Sequence, residues 1–146
     1  MNPLQPIERT DPGTSIFDEL KPIPSYYSQN AVYGFSVVSG VLFGAILLAI
    51  NIKNTEGKKG IVPVLAFGTL FTIAQILIVT NLRVNIGMLP LILNISGGMA
   101  LKQFFWSKYI GKHTPYSNQP IWIPLAFTIL LLAIIFLSLF YAPGRS

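Results

Sequence analysis

Residues 31–52 read AVYGFSVVSGVLFGAILLAINI, a run of 22 residues without a charged side chain. At about 1.5 Å per residue, a helix of this length crosses the roughly 30 Å hydrocarbon core of a bilayer. Ser28 stands where an N-cap would lie. Tyr26, Tyr27 and Tyr33 cluster at the start of the run, as amphipathic rings do at the level of lipid headgroups. The stretch therefore predicts a first transmembrane helix over 31–52.

Three further apolar runs follow this one and predict helices over 61–80, 86–105 and 121–141. The third run is the shortest in apolar residues and carries Pro90 and a Gly97-Gly98 pair, so we expect a bent helix that residues 102–106 extend into the interface. The predicted fold is an all-α membrane protein, a bundle of four transmembrane helices that occupies residues 28–146.

The first 27 residues predict a proline-rich N-terminal tail, because proline removes backbone donors and prevents a long helix. The tail is acidic and lacks an apolar core, so it does not resemble a cleavable signal peptide. Residues 15–20 resemble a capping box around a single turn, which leaves two alternatives for that segment, a disordered tail or a short turn on the membrane or bundle surface.

Composition excludes several classes of protein. Hydrophobic residues make up 52% of the chain and charged residues only 10%, against roughly 25% charged in a soluble domain. The chain has no cysteine, which excludes disulfides, thiolate metal sites and a cysteine nucleophile. The net charge is +5, but the basic residues are scattered and form no dense stripe for nucleic acid. The expected partners are the lipid bilayer, other membrane subunits or a second copy of the chain.

Basic residues in short loops predict the orientation of the bundle, because lysine and arginine are enriched on the cytoplasmic side. With four spanning helices, the first and third loops and a helix end carry Lys53, Lys58, Lys59, Lys102, Lys108 and Lys112. The other side carries Arg9, Lys21, Arg83 and Arg145. Six basic residues on one side against four on the other predict that both loops lie on the cytoplasmic side and both termini outside.

Small and polar residues mark the expected helix contacts, because apolar surface does not drive association in lipid. Three of the four predicted helices each carry such a stripe at helical spacing. The predicted packing residues are Ser36, Gly40, Gly44 and Asn51 on the first helix, Gly68, Thr72 and Gln75 on the second, and Gly87, Asn94 and Gly98 on the third.

Reactive groups are scarce, and we expect no catalytic, cofactor or metal site and no enzymatic activity. No ionisable residue lies in the middle of a predicted span, which disfavours a proton-coupled pump. His113 is the only histidine and has no nearby carboxylate to orient it. A membrane enzyme would need tail acids such as Asp18 to approach His113, and the predicted sidedness separates them.

Between residues 27 and 59 the chain reads Tyr27-Ser28, Ala31, Gly34-Phe35-Ser36, Phe43-Gly44-Ala45, Leu47-Leu48, Asn51 and Lys58-Lys59. This pattern of small, aromatic and amide positions resembles the opening of a group of small bacterial multi-spanning membrane proteins of unknown function. The resemblance implies a bacterial inner-membrane setting for a multi-pass protein. It brings no activity, cofactor or site residue.

Two functional hypotheses remain open at this level. The first is a non-enzymatic scaffold, accessory subunit or homo-oligomer whose function is association. The second is a small oligomeric transporter or channel with a polar path near Gln75 and Asn94, the two deepest amides. Amides satisfied by neighbouring side chains in a dry interior favour the first hypothesis, whereas a water-sized polar cavity that reaches one surface favours the second.

Overall fold

The structure is a computed structural model that describes residues 23–55, 57–81 and 87–141, except for the side chain of Leu139. In chain order its elements are β1 (Ser25–Tyr26), α1 (Gln29–Ser39), α2 (Val41–Lys53), a 3₁₀ turn (Lys58–Gly60), α3 (Ile61–Asn81), α4 (Leu89–Ala100), a π-helical turn (Leu101–Phe105), α5 (Trp106–Tyr109), β2 (Ser117–Asn118) and α6 (Trp122–Tyr141). The prediction of an all-α fold is confirmed, since the two strands have only two residues each.

The predicted first helix is wrong as a single element, because α1 and α2 fold back on each other at Gly40. This glycine has φ 99° and ψ 157°, a backbone conformation that side-chain-bearing residues rarely adopt and that interrupts the helix. Ser36 and Gly44 lie four residues on either side of the break and touch, whereas a continuous helix would separate them by about 12 Å. Residues 29–53 therefore form a helical hairpin, named here the Gly40 hairpin.

Both ends of the Gly40 hairpin lie at the same end of the molecule. The Asn51 side chain joins them: its Oδ1 accepts from the Tyr27 N–H at 2.8 Å, and its Nδ2 donates to the Tyr27 carbonyl at 2.8 Å. Asn51 is completely buried, so these bonds satisfy an amide that water does not reach. The prediction that the N-terminal segment and the first basic loop lie on opposite sides is consequently wrong.

A short parallel strand pair ties the N-terminal segment to the loop before α6. Ser25 pairs with Ser117 and Tyr26 with Asn118. Tyr26 is buried with its ring 5.8 Å from that of Tyr116, and burial raises the pKa of its phenol. The pair places the end of the tail beside the loop that carries His113, so the sidedness argument against a membrane enzyme fails; the tail acids lie outside the described residues.

The second, third and fourth predicted helices correspond to α3, to α4 with its extension, and to α6. Within the described residues, one helix, Lys58–Asn81, is long and apolar enough to cross a membrane, and Val41–Lys53 and Trp122–Ser138 are shorter apolar helices. The expected extension of the third helix is present, since α4 runs through the π-helical turn into α5. It begins at Leu89, after a turn at residues 87–88, and residues 82–86 of the prediction lie outside the described range.

The hydrophobic core lies at the end of the molecule where the Gly40 hairpin begins and ends. Its largest fully buried side chains are Trp106, Leu48, Ile52 and Leu101. On α6, Phe127 stacks on Phe43 and Thr128 accepts a hydrogen bond from Ser39 at 3.2 Å, but every described side chain beyond Thr128 is exposed. The hairpin therefore fills about half the depth of the molecule.

Candidate functional site: a polar cavity at the hairpin tip

A cavity of about 480 Å³ lies beside Gly40, in the half of the molecule that the hairpin does not reach. The hairpin tip forms one wall, and α3 and α4 form the others. Its polar lining consists of Ser39, Thr72, Gln75, Thr80 and Asn94, and the rest of its wall is aliphatic apart from Gly40 and Pro90. The cavity thus borders the turn of the hairpin at Gly40.

Asn94 supplies a hydrogen-bond acceptor that has no partner. Its Nδ2 donates to the Val37 carbonyl at 3.3 Å, which fixes the orientation of the amide. Its Oδ1 is buried, and no donor among the described residues reaches it. An unpaired buried acceptor costs roughly 1–3 kcal/mol, so water or a ligand that donates a hydrogen bond would stabilise this site.

Gln75 lines the same cavity from α3 but does not bond Asn94. Its Nε2 makes a long hydrogen bond of 3.4 Å to the Pro90 carbonyl on α4. Thr72 and Thr80 donate their hydroxyl protons back to the carbonyls of their own helix, at 2.8 Å in each case, and keep their oxygens as acceptors. The polar lining therefore consists of amides and hydroxyls, without an ionisable side chain.

The interrupted backbone adds partial charges beside the cavity. The α2 helix starts at Val41 without a side-chain cap, and the Gly40 carbonyl accepts from the N–H groups of Phe43 and Gly44. The first N–H groups of a helix have no partner within it and carry positive partial charge, while the last carbonyls of α1 carry negative partial charge. Both kinds of helix end meet at the hairpin tip.

Several predicted packing residues do make close backbone contacts, although across different pairs of elements. A Cβ on Gly68 would lie 2.5 Å from the Ala45 Cβ, so α2 and α3 need this glycine for their approach. A Cβ on Gly98 would lie 2.9 Å from the Ser36 Cβ, at the contact of α4 with α1. Ser36 is buried and donates to the Val32 carbonyl at 2.7 Å.

Other predicted packing residues have different roles. Gly40 is the break in the first helix and Asn51 closes the base of the hairpin, as described above. Gly87 is exposed, and a Cβ there would meet nothing within 4 Å. In the first predicted stripe, Gly40 thus forms the turn of the hairpin and Asn51 closes its base. Ser36 and Gly44 contact each other across the turn.

Two further residues, one in a helix contact and one in the cavity wall, are not among the predicted packing residues. Gly97 faces α2 and α3 so closely that a Cβ would overlap Val41 and lie 3.0 Å from the Phe71 ring. The Gly97-Gly98 pair is the sequence signal for this contact, although glycines in a helix also predict a bend. Ser39 is the second residue, and its position next to Gly40 in an apolar run is the signal for a polar helix end.

No protein-family model, curated protein or solved structure matches this chain. The resemblance of residues 27–59 to small bacterial membrane proteins therefore stays a prediction. His113 is exposed in its loop, and residues 23–55, 57–81 and 87–141 contain no group of three or more side chains that could hold a metal ion.

Proposed function

We propose that this chain is a non-enzymatic, multi-pass membrane protein whose cavity at the Gly40 hairpin binds and passes a small uncharged solute. Two observations carry this proposal: Asn94 lines an open cavity, and its Oδ1 is a buried acceptor without a partner among the described residues. A carbonyl oxygen in this state favours a solute that donates hydrogen bonds. The alternative of a dry amide pair between Gln75 and Asn94 finds no support in their hydrogen bonds.

Membrane embedding is supported by the length and surface of the helices. The α3 helix has 21 residues and α6 has 20, so each extends for about 30 Å, the thickness of a hydrocarbon core. Exposed side chains along both helices are large and apolar, such as Leu70, Leu77 and Phe136. An irregular backbone such as that at Gly40 is tolerated within a bilayer where it lines a cavity, which is where this break lies.

The chemistry of the cavity limits the class of solute. Amides and hydroxyls can exchange hydrogen bonds with water or a small polyol, and without a lining charge there is nothing to offset the desolvation of an ion. A volume of about 480 Å³ falls within the 300–1,000 Å³ typical of small-molecule sites. Water and glycerol are therefore suitable probes of the proposed path.

We expect Asn94→Leu to lower glycerol and water permeation through reconstituted vesicles by about tenfold, because it removes the acceptor and fills polar space with an apolar side chain. The measurement is stopped-flow light scattering of proteoliposomes. The matched control is Asn81→Leu, since Asn81 is exposed at the end of α3 and lies outside the polar wall of the cavity. Permeation equal to that of empty vesicles for the unmodified protein would contradict the proposed path.

The Gly40 hairpin also changes the proposed topology to three crossings with the N-terminus inside. All six lysines in the described range lie at the core end of the molecule, and no described basic residue lies at the other end. This asymmetry favours the core end in the cytoplasm and the far end of α6 outside.

We expect cysteines introduced singly as Ile23→Cys and Asn54→Cys to react with an impermeant maleimide only after the inner face is opened. Both positions are exposed, and the native chain contributes no competing thiol. A continuous helix over 31–52 would place them on opposite faces. If one of the two cysteines is labelled from outside and the other only from inside, the three-crossing topology is contradicted.

Association with another subunit or a second copy is the other candidate function. An apolar groove of about 240 Å³ between α1 and α6 supports it, with Gly34, Phe35 and Leu125 in its wall. Such a groove could hold an apolar side chain of a partner helix. A single monodisperse monomer after purification in mild detergent would contradict this candidate.

A further inference from the structure

A second cavity, of about 370 Å³, lies at the core end of the molecule, far from the hairpin tip. Its wall consists of Gln29, Lys102, Gln103, Ser107 and Lys112. These residues come from the start of α1, the π-helical turn, α5 and the following loop. We infer that this cavity binds a phosphate group, either on a lipid headgroup or as a free phosphate.

The charge of the cavity favours an anion. Two of its five lining residues are lysines, and the described residues include no aspartate or glutamate, because all five acids of the chain lie at positions 8, 11, 18, 19 and 56. No carboxylate from residues 23–55, 57–81 or 87–141 can therefore neutralise these ammonium groups. An oxyanion would supply a counter-charge that the described residues do not.

Neutral groups hold Lys102 in place without removing its charge. Its Nζ donates to Asn30 Oδ1 at 2.8 Å and lies 5.5 Å from the centre of the Tyr33 ring. An ammonium has three donors, so one hydrogen bond to Asn30 leaves others for a ligand. The π-helical turn that carries Lys102 is an irregularity that often occurs at functional sites.

The other lining groups also favour phosphate. Ser107 contributes a hydroxyl donor, and Gln29 and Gln103 contribute amide donors. Gln29 is also the first residue of α1, an 11-residue helix whose N-terminal end carries positive partial charge. Ammonium, hydroxyl, amide and helix end together suit a ligand with several acceptor oxygens.

The site is independent of the solute path, because it shares no lining residue with the cavity at the hairpin tip. Loss of anion binding and loss of permeation can therefore be observed separately. A lipid headgroup and a free phosphate present the same oxygens to the cavity. They differ in whether binding requires a bilayer.

The test is binding by the full-length protein of two probes, inorganic phosphate in neutral detergent and phosphatidylglycerol in nanodiscs of a neutral, phosphate-free glycolipid. We expect saturable binding of at least one probe, and Lys112→Gln to weaken it about tenfold, because a charge-assisted hydrogen bond is lost. Lys102→Gln should weaken binding similarly. Lys112 is exposed and has no hydrogen bond within the described residues, so its replacement keeps the test valid if Lys102→Gln fails to fold.

The matched control is Lys59→Gln, which removes the same charge from an exposed position outside the cavity. Binding of phosphate in detergent assigns the site to a free phosphate, and binding of phosphatidylglycerol alone assigns it to a lipid headgroup; either result supports the inference. Equal weakening by Lys59→Gln and Lys112→Gln would overturn it, since surface charge alone would then explain the binding. Absence of saturable binding of both probes would overturn it as well.

Discussion

Replacement of Gly44 by alanine should lower the free energy of unfolding by about 3 kcal/mol, because a Cβ at this position has no room. It would overlap the Ser36 Oγ and lie 2.9 Å from the Val32 carbonyl oxygen. The backbone at Val32 cannot move away without opening the Gly40 hairpin. Thermal unfolding in detergent, followed by circular dichroism, measures the effect.

The matched control is Gly34→Ala, the same change in the same hairpin. A Cβ on Gly34 would meet nothing within 4 Å, and alanine favours helix by roughly 0.5–1 kcal/mol over glycine, so we expect unchanged or slightly higher stability. Adding Ser36→Ala to Gly44→Ala should recover part of the loss, because the overlapping hydroxyl is then absent. Equal stability of the Gly44→Ala and Gly34→Ala proteins would show that the two helices do not fold back on each other.

The second large effect is expected for Asn51→Leu, which keeps the size of the side chain but removes both hydrogen bonds to Tyr27. The N–H and carbonyl of Tyr27 would lose their partners in a partly buried position, and each unpaired group costs roughly 1–3 kcal/mol. The expected loss of unfolding free energy is about 3–5 kcal/mol. Chemical unfolding in detergent micelles measures it.

Asn54→Leu serves as the control for this change. Asn54 is exposed and makes one long hydrogen bond of 3.4 Å to the Ser25 carbonyl. Surface substitutions of this kind usually alter stability by no more than about 0.5 kcal/mol. If the Asn51 and Asn54 variants unfold alike, the amide of Asn51 does not hold the base of the hairpin.

Local sequence signals predicted the helix starts and the later helices well. Ser28 is the N-cap of α1, as predicted, and its Oγ accepts from the Ala31 N–H at 3.1 Å. Apolar runs bounded by basic and glycine-rich loops also predicted the bounds of α3 and α6 to within one residue. These features depend on neighbouring residues, which is why sequence alone contains them.

The break at Gly40 could not be predicted from hydropathy, because the run is equally apolar whether it is straight or folded. Glycine is also common in transmembrane helices and does not by itself indicate a turn. The spacing of Ser36, Gly40 and Gly44 fits two arrangements, one stripe on a helix or two contacts across a turn. Only the three-dimensional contact of Ser36 with Gly44 distinguishes them.

Sequence reasoning selected Gln75 and Asn94 as the deepest amides, and both line the cavity at the hairpin tip. What it could not predict is that their amide nitrogens bond backbone carbonyls of other helices and not each other. The Val37 carbonyl lies in the last turn of α1, where carbonyls have no partner within the helix. Such partners depend on the fold and not on spacing.

The fold-back at Gly40 has a consequence for the order in which the protein assembles during biosynthesis. The α1 and α2 helices have 11 and 13 residues, about 16 and 20 Å, so neither can cross a bilayer when it leaves the ribosome. The backbone N–H and C=O groups at the hairpin tip need protein around them within a bilayer. The α3 and α4 helices, which are synthesised later, supply that protein. In the three-crossing topology proposed above, the hairpin would therefore reach its final depth after α3 and α4, which follow it in the chain.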